Sequence, residues 1–163
     1  MKGWQFECKE QLRTLTATDG SLRNLREILQ ADVNCSQLHV AIFNEPYLTY
    51  ILEGKKTVES RFSFVRCAPY EKVFAGDFIL LKKAGGPVSG LCRADAAWFY
   101  KVDRKTLGEI RKEFAERICP ADPGFWSDRE GTLFATLISL TDVRRVQDFK
   151  IGKRDRRGWV IIT

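Results

Sequence analysis

The chain has 163 residues, 44% of them hydrophobic and 29% charged, with a formal charge of +6 and a pI near 9.2. That length suits one domain whose core needs no disulfide or metal staple, and no run approaches the ~20 apolar residues of a spanning helix. Five scattered cysteines without a C-x-x-C pair, and His39 as the only histidine, argue against a secreted disulfide framework and against a zinc site.

No cofactor, metal or membrane contact is expected. The N-terminus carries charges where a signal peptide has its apolar stretch, so the expected location is cytoplasmic. The positive excess suits a polyanionic partner. It is concentrated between Thr141 and Thr163, where seven basic residues face three acidic ones. A solvated basic face explains such a run equally well.

In chain order, Ser21 to Asp32 reads as a helix with Leu22, Leu25, Ile28 and Leu29 on one stripe, capped by Asp19 or Ser21. Gln37 to Phe43 reads as a buried strand. Asn44 then caps a helix with Pro46 in its first turn, Tyr47, Leu48, Ile51 and Leu52 on its buried side, and Gly54 as its stop. Lys55 to Phe62 has strand character, and Asp77 to Lys82 is apolar enough for a strand covered on both faces. After the Gly85-Gly86-Pro87 turn, Val88 to Val102 puts Cys92, Ala94, Ala96, Trp98 and Tyr100 on one face. Thr106 and Glu109 have capping-box spacing before Leu107, Ile110, Phe114 and Ile118. Cys119-Pro120 closes that helix, a loop carries Phe125 and Trp126, Thr132 to Leu140 is a strand, and Gly158 to Ile162 is the last. Five to seven strands without regular βαβ alternation predict an α+β, mainly β fold: a small, mostly antiparallel barrel decorated by two to four helices.

Gly54 to Arg61 is the stretch richest in chemistry. On an extended strand Glu59 and Arg61 share a face with Thr57 and Lys55, while strict parity sends Lys56 to the other face unless the turn after Gly54 is irregular. One acid and several cations at a helix-to-strand junction can hold a base edge and a phosphate together. They can equally form a surface ladder in which Glu59 neutralises its neighbours.

Gly54-x-Lys56-x-x-Glu59-x-Arg61 resembles the G-x-K-x-x-E-x-R signature of ASCH domains, relatives of the PUA domain. Leu38 to Ile42, the Tyr47 to Leu52 helix, Ala75-Gly76-Asp77, Gly85 to Gly90 and the closing Lys153 to Trp159 resemble family features too. The resemblance runs from about Gln37 to Thr163. It implies a PUA-like barrel over residues 37–163, with residues 1–36 as an extension carrying one helix.

It also implies a cleft beside the first helix of the barrel where Lys56, Glu59 and Arg61 gather, and a ligand that is RNA, single-stranded nucleic acid or a nucleoside or nucleotide. Arg66, Lys83, Arg154, Arg156 and Trp126 are further candidate ligand contacts. Family members resembling amidases of acetylated cytidine carry a threonine nucleophile three residues after the motif lysine; here that position is Glu59. An amidohydrolase acting on a modified nucleoside is therefore the alternative, with Lys56 and Glu59 as its catalytic pair. A regulatory protein-interaction domain is the second alternative. Cys67, after Arg66, reads as a half-buried structural thiol.

Overall fold

A computed structural model describes residues 3–30, 36–153 and 156–162. Two helices open the chain, α1 (Gly3–Thr18) and α2 (Arg23–Gln30), rather than the single helix expected. Helix α1 escapes the sequence pattern because its buried stripe is narrow: Trp4, Cys8 and Leu12 recur one turn apart between charged and threonine positions. Asp19 does cap the turn before α2, accepting from the Ser21 N–H. Asp32 and the Ile28 side chain lie outside the described residues.

The remaining elements are β1 (Leu38–Phe43), α3 (Tyr47–Leu52), β2 (Val58–Ser63), β3 (Phe78–Lys83), β4 (Val88–Lys101), α4 (Arg104–Ile118), β5 (Phe134–Phe149) and β6 (Trp159–Ile162). Among the described residues the strands form one six-stranded sheet in the order β2-β5-β4-β3-β1-β6. Only β1 and β3 run parallel, so the sheet is mixed but mostly antiparallel, as expected. It curls into a half-barrel whose edges are β2 and β6.

Three apolar clusters hold it together. Leu12, Leu25 and Leu29 of the N-terminal helices pack on Leu38, Leu80, Leu91 and Val160 of the sheet. Leu48 and Ile51 of α3 cover the opposite face at Ala41, Ile79, Leu81 and Cys92. The stripe Leu107, Ile110, Phe114 and Ile118 of α4 meets Val58, Ala135 and Leu137. Both faces of β1 and β3 are thus buried, which accounts for their near-continuous apolar sequences.

Four local expectations are corrected. Pro46, not Asn44, occupies the cap position of α3, and no side chain caps it there. Asp103 caps α4 by accepting from the Thr106 N–H at 2.7 Å, so the helix starts ahead of the Thr106–Glu109 box. A bulge between Ala94 and Ala96 breaks the alternation of β4. Cys92, Ala94, Ala97 and Phe99 consequently join the α3 cluster, while Trp98 and Tyr100 turn to the α4 cluster. Strand β5 continues past Leu140 to Phe149, so Arg144 and Arg145 belong to a strand paired with β4.

Candidate functional site

Helix α3 ends at Leu52, and Gly54 turns the backbone with φ +77°. The N–H groups of Lys55 and Lys56 then both donate to the Tyr50 carbonyl, wrapping the chain around the helix end before β2 begins. Lys56 therefore sits in a turn, where strand parity does not apply, and its side chain reaches the same place as Glu59.

The Lys56 ammonium, 3% exposed, has three protons and three acceptors. It donates to the carbonyls of Val58 at 2.8 Å and Ile118 at 3.0 Å, and pairs with Glu59 Oε2 at 3.2 Å. Ile118 is the last residue of α4, so the cation also complements the negative end of that helix. Arg61 Nε donates to Glu59 Oε1 at 2.6 Å. Its Nη2 donates to the Ile42 carbonyl at 2.8 Å and its Nη1 to the Gly158 carbonyl at 3.2 Å. Those carbonyls lie at the end of β1 and just before β6, so the guanidinium bridges the two open edges of the half-barrel. The rings of Phe43 and Trp159 lie 5.0 and 5.4 Å from it.

Burial alone would raise the Glu59 carboxyl; the charges of Lys56 and Arg61 outweigh it and hold it below the usual carboxylate range. Burial lowers Lys56, with Glu59 opposing. The triad is a Glu59 carboxylate shared by two cations, not a set of free charges.

The three side chains nevertheless line a hollow of about 380 Å³. Its walls include Phe43, Tyr47, Phe62, Phe64 and Phe125, with Asn44, Ser60, Asp128, Arg129 and Thr132 supplying polar groups. Phe64 is 63% exposed at the rim. The loop after α4 supplies Phe125, Asp128 and Arg129. The Arg129 guanidinium carbon lies 3.4 Å from the centroid of the Phe125 ring, and its Nη1 donates to the Phe125 carbonyl at 2.6 Å.

The other candidates lie elsewhere. Arg66 pairs with Glu71 on an exposed loop, and Lys83 pairs with Glu45 at 3.9 Å. Arg156 is exposed away from the hollow, and Arg154 lies outside the described residues. Trp126 stands edge-on to Phe62 and Phe125 and lines a separate groove beside α4. Cys67 is exposed rather than half-buried.

Sequence reading missed Tyr47, Phe62, Phe64, Phe125 and Arg129 as a cleft. In the loop after Pro120 the signal lies in the Phe125-x-x-x-Arg129 spacing rather than in the Phe125-Trp126 pair. Trp159, by contrast, is buried and donates from Nε1 to His39 Nδ1 at 3.0 Å. His39 therefore carries its proton on Nε2, 3.0 Å from Asp77 Oδ2, in a core network that also takes the N–H groups of Gln37 and Phe74. Among the described residues no group of three or more His, Cys, Asp or Glu side chains is placed to hold a metal ion, and no helix is long and apolar enough to cross a membrane.

No family model matches the sequence, and no curated protein matches it significantly. Solved structures do match. The crystal structure of ASCH from Zymomonas mobilis superposes with a TM-score of 0.53 at 19% identity, over 68% of this chain and 71% of that one. The fold is the ASCH fold. Two variants of that protein, a tyrosine-to-phenylalanine and a serine-to-alanine change, match at the same TM-score, at 20% and 19% identity. They cover 69% of this chain and 74% and 72% of theirs. In this ASCH fold the Lys56-Glu59-Arg61 signature sits where the half-barrel closes.

Proposed function

We propose that the aromatic hollow beside α3 binds a base-bearing ligand of the RNA or nucleotide kind. The observation that carries this reading is the lining itself: five aromatic rings around about 380 Å³, with two arginines, an amide and the hydroxyls of Tyr47, Ser60 and Thr132 among them. Every base offers a π-face, and stacking on an aromatic side chain contributes ~1–3 kcal/mol per base. The resemblance to nucleic-acid-binding ASCH domains agrees with that chemistry, and the net charge of +6 favours approach of a polyanion.

Hydrolysis by Lys56 and Glu59 is less well supported. A general base needs a free lone pair, and all three Lys56 protons are donated while Glu59 is shared by two cations.

The direct test titrates fluorescently labelled single-stranded RNA with the protein at several salt concentrations. Binding should weaken by about 0.7 log units per tenfold salt for each phosphate neutralised. Phe64→Ala should weaken it by about tenfold, because the exposed ring stacks on ligand yet supports little of the core. Arg61→Ala is a poor probe, since that side chain also closes the sheet. Tight binding that ignores both salt and Phe64→Ala would remove the hollow from the account.

A further inference from the structure

Most charged groups of the hollow are spent on each other. Glu59 is neutralised from both sides, and the Lys56 ammonium and the Arg61 guanidinium point their protons at fixed oxygens. Arg129 differs. Its Nη1 is anchored on the Phe125 carbonyl and its guanidinium carbon lies over the Phe125 ring, 3.4 Å from the centroid, with the Phe62 ring 5.4 Å away. These contacts set the orientation of the guanidinium. Its Nε is buried and has no acceptor.

Nε–H and the neighbouring Nη2–H form one edge of the guanidinium fork, matched in spacing to two oxygens of a phosphate or carboxylate. Leaving a buried N–H without an acceptor is unfavourable, because the group has given up its water and gained nothing in return. Arg129 lines the hollow, and an oxyanion arriving there supplies the acceptor that Nε lacks. The hollow holds about 380 Å³, room for one nucleotide unit rather than a run of them.

Resting on the cleft reading above, the geometry points to Arg129 as the residue that takes the phosphate of a single nucleotide by a two-pronged hydrogen bond, with the base against the aromatic wall. Neither the motif lysine nor the motif arginine makes that contact.

The test uses the full chain and eight probes: the four ribonucleoside 5′-monophosphates and the four corresponding nucleosides, titrated by calorimetry. Wild-type protein should bind the monophosphates more tightly than the nucleosides. Arg129→Gln should weaken the monophosphates by about tenfold or more and leave the nucleosides unchanged. Arg129→Lys keeps the charge but loses the fork, and should fall between them; it also serves should the glutamine variant fold poorly. Monophosphates that bind both Arg129 variants as they bind wild type would overturn the role of Arg129 while the cleft stands. Equal losses for nucleosides and monophosphates would also overturn it, since Arg129 would then act on the ring or on the wall. If wild type binds none of the eight, the single-nucleotide role falls, while the RNA titration decides the cleft reading.

Discussion

Glu59 is the residue on which the closed end of the half-barrel depends. It is 5% exposed and sits between two cations that are themselves committed to backbone carbonyls. Glu59→Gln removes the charge that compensates them and should cost about 3–5 kcal/mol in chemical denaturation, the usual penalty for breaking a buried pair. An unchanged midpoint would mean the triad holds nothing. The same carboxyl gives a pH signature. Its folded pKa lies below the 4.5 of an unperturbed glutamate, so the unfolded chain binds more protons in the acid range. Its stabilisation is complete above about pH 4.5 and is lost as pH falls through the folded value. Asp77 adds to this: burial raises it, but hydrogen bonds from His39 and from the Gln37 and Phe74 N–H groups leave it lowered overall. Stability measured from pH 7 to pH 3 should therefore fall at the acid end, and Glu59→Gln should flatten part of that fall.

At the scale of elements, local chemistry decides where each one starts and stops. Asp103 accepts the N–H at the first turn of α4, the helix whose last carbonyl receives Lys56. Asp103→Ala should lower the melting temperature, because the Thr106 N–H in the first turn loses its acceptor. A melt identical to wild type would show that the cap contributes nothing. The α3–β2 junction shows the same dependence on local detail. Gly54 and the paired N–H groups on the Tyr50 carbonyl insert a turn that strict strand alternation does not contain. That turn swings Lys56 to the Glu59 side. In β4 the bulge at Ala94/Ala96 plays the equivalent part, re-aiming Trp98 and Tyr100 toward α4.

On the scale of the whole molecule, the N-terminal helices behave as part of the core. Trp4, Cys8, Leu12, Leu22, Leu25 and Leu29 share one cluster with Leu38, Val40, Leu80 and Val160 of the sheet. Burial pushes the Cys8 thiol up to about 12, as expected of a group sealed from water. Deleting residues 1–36 would bare the apolar face formed by Leu38, Val40, Leu80 and Val160. The shortened chain should elute as aggregates on size-exclusion chromatography or fail to accumulate in soluble form. A monomeric fragment with the melting temperature of the full chain would instead make the extension an independent appendage.

The order of most strands and helices, the Gly54 stop, the apolar stripe of α4 and the Gly54–Arg61 signature were legible in the sequence. Each depends on local periodicity, on turn residues or on a short motif, which neighbouring residues alone determine. Helix α1 was not legible, because a one-residue-wide stripe gives weak periodicity. Nor were the commitment of Arg61 to the carbonyls of Ile42 and Gly158, or the placement of Arg129 beside Phe62. Those contacts join residues 19, 97 and 67 positions apart. Only the curl of the sheet brings such distant groups within a few ångströms, and no local pattern encodes that curl.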